Sequence, residues 1–121
     1  MATYRAALGA HGEDIATDLL RARGYTIEGR NYHCRYGELD LICRHGSTVV
    51  FCEVKTRRSA IYGAPEEALT PRKLARLMLA AQTYLAAHDL EDADWRLDVV
   101  AIELDRRGAV SRTALYQAVD T

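Results

Sequence analysis

The sequence lacks the features that would place the chain in a membrane or in an oxidising compartment. No stretch of its 121 residues is long and apolar enough to span a bilayer, and the N-terminal residues lack the apolar run of a signal peptide. Cys34, Cys43 and Cys52 form no CxxC pair, and their odd number argues against a disulfide framework. Their spacing favours buried thiols over a zinc site. We therefore expect a cytoplasmic protein with reduced cysteines.

The chain also lacks internal repeats, low-complexity stretches and an interdomain linker. Its length allows one hydrophobic core and little more. We expect a single domain over residues 1–121, with its core at about 9–104. The pattern after Leu104 does not predict the path of the C-terminal segment.

A net charge of −1 does not by itself indicate a nucleic-acid partner, but the charges are unevenly distributed. Residues 1–20 carry a charge of −2, residues 21–76 a charge of +5 and residues 77–121 a charge of −4. An anionic partner would therefore approach the middle of the chain. A solvated basic face is an equally good interpretation.

Hydrophobic periodicity predicts the order helix, strand, hairpin, helix, strand, and then a short last strand or frayed segment. The predicted ranges are 9–23, 25–32, a hairpin of 37–43 and 49–55, a helix over about 71–88, a strand over 95–104 and the last segment over 109–119. Thr70 is the expected N-cap of the second helix, because Pro71 suits the first helical position. The basic stretch 56–65 is predicted to be a loop suited to an anionic polymer. This order predicts a mixed α/β fold with helices packed on a small sheet around the central hairpin.

The hairpin strands are apolar enough to be buried, yet they contain Glu38, Asp40, Glu53 and Lys55. Burying a charge is costly unless the charge is paired or bound to a metal. Side chains alternate across a strand, so Glu38 and Asp40 are predicted to share one face of the first strand, and Glu53 and Lys55 one face of the second. Three carboxylates and a lysine in a core hairpin indicate a functional site.

The site depends on the register of the hairpin. A two-residue turn at Gly46-Ser47 places Asp40 directly opposite Glu53, and a turn at His45-Gly46 makes the two residues diagonal neighbours. A three-residue turn would place them on opposite faces. The sequence leaves these alternatives open.

The first helix offers a further carboxylate at Glu13, on the border of the apolar stripe. Periodicity allows either an ordinary charge on the helix surface or a carboxylate that reaches across the sheet, and it favours the surface charge.

Hard cations such as Mg²⁺ and Mn²⁺ prefer oxygen ligands, which Asp40 and Glu53 would supply, with the Val54 carbonyl as a possible third ligand. Lys55 shares the face of Glu53, so it would orient a water molecule or neutralise charge that develops on a phosphate. This arrangement suits the hydrolysis of a phosphodiester.

The spacing Asp40-x12-Glu53-x-Lys55 resembles the signature of the PD-(D/E)xK nucleases. More of the chain is similar to the YraN family of small bacterial proteins, with matching stretches at Gly12-Glu13, Arg30-Asn31, residues 37–42, residues 50–57, Lys73 and residues 96–100. The resemblance implies a restriction-endonuclease-like fold related to archaeal Holliday-junction resolvases. It also implies a metal site formed by Glu13, Asp40 and Glu53 with Lys55, and supporting positions at Glu38 and Gln82.

We therefore predict a Mg²⁺- or Mn²⁺-dependent endonuclease or resolvase that acts on DNA, including branched DNA, and that could work as a homodimer. The predicted phosphate contacts are Arg57, Arg58, Arg72, Lys73 and Arg76. One alternative is a module that binds nucleic acid or protein without catalysis. Another is a purely structural network of ion pairs.

Overall fold

The computed structural model describes residues 4–58 and 69–120, which form two helices and one mixed sheet. In chain order the elements are α1 (Tyr4–Ala22), β1 (Tyr25–Cys34), β2 (Gly37–His45), β3 (Thr48–Arg57), α2 (Pro71–Ala87), β4 (Trp95–Leu104) and β5 (Val110–Tyr116). The strands lie in the order β1-β2-β3-β4-β5. Only the β3–β4 pair is parallel among them, and α2 lies in the connection between these two strands. Residues 59–65 of the predicted basic loop lie outside the described ranges.

The register of the β2–β3 hairpin follows the first of the predicted alternatives. His45 pairs with Thr48, so Gly46-Ser47 is the two-residue turn, and Gly46 adopts a φ of 63° that suits glycine. The pairs continue to Leu41–Cys52. Asp40 and Glu53 follow directly after the last pair, at the point where the two strands begin to separate.

Two apolar clusters cover the two faces of the sheet. Ala16 and Leu20 of α1 pack with Cys43 and Cys52 on one face. On the other face, Phe51 packs with apolar side chains of α2, which include Leu74, Leu77, Met78, Ala81 and Leu85. The sheet is therefore sandwiched between the helices, and this arrangement confirms the predicted restriction-endonuclease-like α/β fold.

Several predicted boundaries are confirmed and others need correction. Thr70 caps α2 by accepting a bond from the Lys73 amide at 3.2 Å, and β4 has the predicted bounds. α1 begins at Tyr4 rather than at Gly9, and Leu8 packs against the α1-side cluster. β1 continues to Cys34, two residues beyond its predicted end, because His33 and Cys34 still pair with β2. The last strand is shorter than predicted.

A buried polar network fastens the C-terminal residues to β4. Asp98 is 0% exposed and accepts bonds from the Tyr25 hydroxyl at 2.7 Å, the Arg96 Nε at 3.0 Å and the Ala118 amide at 3.0 Å. All of these donors satisfy a carboxylate that would otherwise be costly to bury. The network joins the start of β1, the start of β4 and the chain after β5.

The residues after β5 also cover the part of β4 that β5 does not reach. The β4–β5 ladder starts at Val99–Tyr116. Before that point, the Leu97 carbonyl accepts a bond from the Val119 amide at 2.9 Å, and the Leu97 amide donates to Asp120 at 3.0 Å. The chain after Tyr116 therefore continues to protect this strand edge.

Within the ranges that the structure describes, no helix is long and apolar enough to cross a membrane.

Candidate metal and nucleic-acid site

Asp40 lies where β2 separates from β3. Its side chain, rather than a backbone carbonyl of β2, accepts the hydrogen bond from a backbone amide of β3. Its Oδ2 accepts a bond from the Val54 amide at 2.8 Å. Across β1, the pairs Arg30–Leu41 and Tyr32–Leu39 place Asn31 opposite Asp40. Asn31 has a φ of 56°, in the left-handed region that Asn tolerates better than most residues.

This irregularity changes the strict alternation that the sequence predicts. Leu39 packs with Ile42 in the α2-side cluster, whereas Leu41 packs in the α1-side cluster. Alternation would place Leu39 and Leu41 on the same face. The strand therefore reorients at Asp40, and the Asp40 carboxylate meets the Val54 amide of β3 and lies near Glu13 of α1.

Glu53 and Lys55 share a face of β3, as predicted. The Lys55 Nζ lies 3.2 Å from the Glu53 Oε1, and the Glu53 side chain is only 14% exposed. The other carboxylate oxygen, Oε2, is buried and has no hydrogen-bond partner among the described residues. Because a buried unpaired carboxylate oxygen is costly, the Glu53 carboxylate needs either a proton shared with Asp40, whose hydrogen bond to Glu53 helps to raise the pKa of Asp40, or a bound cation.

Glu13 reaches this site from α1, and its side chain is 12% exposed. The interpretation of Glu13 as a surface charge is therefore wrong. The adjacent Gly12 explains the close approach of the helix, since a Cβ at this position would overlap the Oγ1 of Thr56 on β3. Arg30 of β1 forms ion pairs with two acids of α1. Its Nη2 lies 3.4 Å from the Glu13 Oε1, and its Nη1 lies 2.8 Å from the Asp14 Oδ1.

Glu38 completes a group of three carboxylates. One oxygen each from Glu13, Glu38 and Asp40 lie within 4.8 Å of one another. Burial and the nearby Asp40 charge raise the pKa of Glu38, while His33 at 3.7 Å acts in the opposite direction. The sequence placed Glu38 in a supporting position, and the geometry places it beside two of the predicted ligands.

The electrostatics of the group are concentrated on Asp40. Burial, followed by the charge of Glu53, raises the pKa of Asp40 to about 8, although the hydrogen bond from Val54 acts in the opposite direction. A carboxyl group with this pKa holds a proton at neutral pH unless a cation replaces the proton. Burial and the repulsion between the negative charges of this site are therefore strong enough that Asp40 keeps its proton when no cation is bound.

The residues fit a hard divalent cation. Each Mg–O bond is about 2.1 Å long, so two oxygens on one ion lie at most about 4.2 Å apart. One oxygen each from Glu13, Glu38 and Asp40 lie no more than 4.8 Å apart, so small adjustments of the side chains would bring them within this limit. Glu53 adjoins Asp40 and brings the unpartnered Oε2. The donor set consists of oxygens alone, as Mg²⁺ and Mn²⁺ prefer.

The predicted cationic residues fall into two sets. Lys73 and Arg76 of α2 line a cavity together with Lys55 and Glu53. Arg57 lies at the end of β3, and Arg58 donates to the Arg106 carbonyl at 2.7 Å. Arg72 and Gln82 are exposed on α2, and neither lines this cavity in the described part of the chain. Their predicted roles stay predictions.

Sequence reasoning missed three features of this site. The close contact at Gly12 and the left-handed backbone of Asn31 depend on tertiary packing. The Arg30–Glu13 bond joins β1 to α1. The sequence offered one signal for these features. The adjacent residues Gly12-Glu13 and Arg30-Asn31 are among the stretches that resemble the YraN family, and both lie where α1 approaches the sheet.

The sheet order, the crossover helix and the acid–lysine arrangement at the separating strands place the protein in the restriction-endonuclease-like class of folds. A model of the uncharacterised protein family UPF0102 matches residues 12–102, and the chain belongs to this family, the YraN family. A UPF0102 protein of Syntrophomonas wolfei is 50% identical over 95 residues, covering 78% of this chain and 83% of the relative. A UPF0102 protein of Beutenbergia cavernae is 50% identical over 103 residues, covering 85% and 87% respectively.

Proposed function

We propose that the protein is a divalent-metal-dependent endonuclease that hydrolyses DNA phosphodiesters, with branched DNA as the preferred class of substrate. The observation that carries the proposal is the buried, unpartnered Oε2 of Glu53 beside the raised pKa of Asp40 and the side chain of Lys55. Clusters of this kind, with perturbed pKa values and a nearby cation, are typical of functional sites.

Glu13, Glu38, Asp40 and Glu53 would hold Mg²⁺ or Mn²⁺, which would supply Lewis-acid stabilisation of a phosphate and a lower pKa for an attacking water. Before an ion is bound, the excess negative charge is partly relieved by the proton on Asp40 and by Lys55. Exchange of that proton for a cation is therefore part of assembling the site.

Lys55 has the direct role in the reaction. Its ammonium group is anchored by Glu53 at 3.2 Å and lies on the same face of β3. From this position it stabilises negative charge that develops on the phosphate and orients the attacking water. Asp40 and Glu53 limit the freedom of that water, and Glu13 fixes α1 against the sheet through Arg30.

The cationic residues of α2 and of the end of β3 would bind the flanking phosphates without reading the base sequence. Lys73 and Arg76 belong to the site cavity, whereas Arg57, Arg58 and Arg72 extend the basic surface. Junctions with two-fold symmetry are cut by paired active sites, and a homodimer would supply them.

The test is cleavage of duplex, single-stranded and four-way-junction DNA by the purified protein in Mg²⁺ or Mn²⁺. We expect cutting that Asp40→Asn abolishes, that Lys55→Met slows by on the order of 100-fold, and that Arg23→Ala, a change at an exposed residue beyond the end of α1, leaves intact. Undiminished activity in Asp40→Asn and Lys55→Met would refute the proposal, because it could not come from this site.

A second candidate is a module that binds nucleic acid without cutting it. The ion pairs Lys55–Glu53 and Arg30–Glu13 favour this candidate, since they satisfy part of the acidic charge without a metal. Salt-sensitive DNA binding that is unchanged in Asp40→Asn, together with no heat of Mn²⁺ binding in calorimetry, would establish this function instead.

A further inference from the structure

A cavity of about 150 Å³ lies between β2, β3 and the first half of α2. It adjoins the candidate metal site, because Glu38, Glu53 and Lys55 form one wall. At about 30 Å³ per water, the space equals about five water molecules. It is smaller than the pockets of about 300 Å³ or more that bind drug-sized ligands, so it suits one small group.

The remaining walls combine apolar and cationic side chains. Tyr36, Leu69, Leu77 and Ala80 supply apolar surface that faces the space. Lys73 and Arg76 lie at the same cavity and are exposed to solvent. An aromatic ring and aliphatic walls favour a flat, weakly polar group, whereas the lysine and arginine favour a phosphate at its edge.

A phosphate alone fits this cavity less well than a base with its phosphate. An anion placed against Leu77, Ala80 and the Tyr36 ring would lose its hydration. It would also lie near the carboxylates of Glu38 and Glu53, whereas Lys73 and Arg76 are exposed to solvent. The faces of a nucleobase lose little hydration against apolar side chains, and Glu53 and Lys55 in the same cavity can bond its polar edge. Stacking of bases on aromatic side chains is a common source of affinity for unpaired DNA. Lys73 and Arg76 can hold the attached phosphate at the same time.

We propose that this cavity receives one unpaired nucleobase next to the phosphate that the enzyme cuts. The inference rests on the proposed function and deepens it, since it names the feature that the substrate must contain. A base that is paired and stacked inside a continuous duplex cannot enter a side cavity without leaving the helix. The preferred DNA therefore carries an unpaired nucleotide at the cut site, as at a flap, a bulge or a branch point whose base pairs have opened.

The experiment compares binding to three DNAs of equal length in Ca²⁺ and, separately, in EDTA. The first is a perfect duplex, the second carries one unpaired nucleotide, and the third carries an abasic residue at that position, which keeps the phosphate and removes the base. Fluorescence anisotropy gives the dissociation constants. We expect the second DNA to bind on the order of tenfold more tightly than either of the others, the effect of one stacked base.

Two variants and one matched control locate the effect. Leu77→Trp fills the cavity from a partly exposed position, and we expect it to remove the preference. Leu79→Trp makes the same change on the same helix, at a residue that is 42% exposed and does not line the cavity, and it should keep the preference. Tyr36→Ala removes the ring without filling the space and should also reduce the preference, and melting temperatures identify any variant that fails to fold.

The outcomes separate this inference from the proposed function. Equal binding of all three DNAs, or a preference that survives in Leu77→Trp, overturns the cavity assignment even if the protein cuts duplex DNA in Mn²⁺. A base-dependent preference that the cavity variants remove supports the assignment even if no DNA is cut, in which case the proposed function fails alone. Equal affinity for the unpaired and abasic DNAs, with both above duplex, would mean that the cavity binds a phosphate and would likewise overturn the proposal.

Discussion

The replacement Asp40→Asn should change how the stability of the protein depends on pH. In the folded state the pKa of Asp40 is about 8, against an ordinary value of 3.8. Between these values the folded chain holds a proton that the unfolded chain has released. Stability therefore falls as pH rises from about 4 to about 8, and above pH 8 the full cost is present.

The size of the effect follows from the shift. At about 1.36 kcal/mol per pH unit, the full range gives an upper limit of about 6 kcal/mol, and the interval from pH 6 to pH 8 gives at most about 3 kcal/mol. For a chain of this length, that interval corresponds to a fall of roughly 10 °C in melting temperature. Asp40→Asn keeps an oxygen that can accept the bond from Val54 but cannot ionise. Its melting temperature should lose most of this pH dependence.

The assay is thermal unfolding at pH 6, 7 and 8, in EDTA and in Mn²⁺. A bound cation replaces the proton, so Mn²⁺ should raise the melting temperature more at pH 8 than at pH 6. At pH 8 and at 100 times its dissociation constant, Mn²⁺ should add about 3 kcal/mol to the free energy of unfolding. Asp40→Asn should lose most of the response to Mn²⁺. Parallel pH profiles for the two proteins in EDTA would refute the reasoning, because the titrating group would then lie elsewhere.

Three further predictions concern other contacts. Gly12→Ala should weaken Mn²⁺ binding in calorimetry, because the new Cβ displaces α1 from Thr56, and the added change Thr56→Ala should restore part of the affinity. Lys55→Met should slow cleavage by on the order of 100-fold in single-turnover kinetics without weakening Mn²⁺ binding, and an equal loss of both would contradict its assigned role. Asp98→Ala should lower the free energy of unfolding in urea by about 3–5 kcal/mol, because it leaves Arg96 with an uncompensated charge, and a loss below about 1 kcal/mol would be inconsistent with the buried network.

The parts of the fold that local patterns determine could be predicted from the sequence. The turn at Gly46-Ser47 was among the alternatives because glycine suits a two-residue hairpin turn, and it sets the register that brings Asp40 and Glu53 directly after the last pair, Leu41–Cys52. Thr70 and Pro71 marked the start of α2 because capping depends on adjacent residues. The shared face of Glu53 and Lys55 on β3 could be predicted because side chains alternate along a strand.

The remaining features depend on contacts between distant elements. Periodicity favoured Glu13 as a surface charge, since the pattern alone does not show how closely α1 approaches β3. The reorientation of β2 at Asp40 follows from a left-handed Asn31 on the neighbouring strand, and nothing in the local sequence of β2 signals it. The position of Glu38 beside Glu13 and Asp40 likewise depends on how α1 packs on the sheet, which the local sequence does not show. The roles of the acids and of the cationic residues in binding and catalysis stay predictions.

The C-terminal residues have a consequence for the chain's behaviour at high concentration. Val119 and Asp120 occupy the edge of β4 beside Leu97, and Ala118 donates to the buried Asp98. Loss of the chain after Tyr116 would expose the unpaired backbone groups of Leu97. It would also remove one of the hydrogen bonds that the Asp98 carboxylate accepts. Such an edge can pair with the same edge of another molecule, so a protein trimmed after Tyr116 would be prone to self-association into extended β-structure.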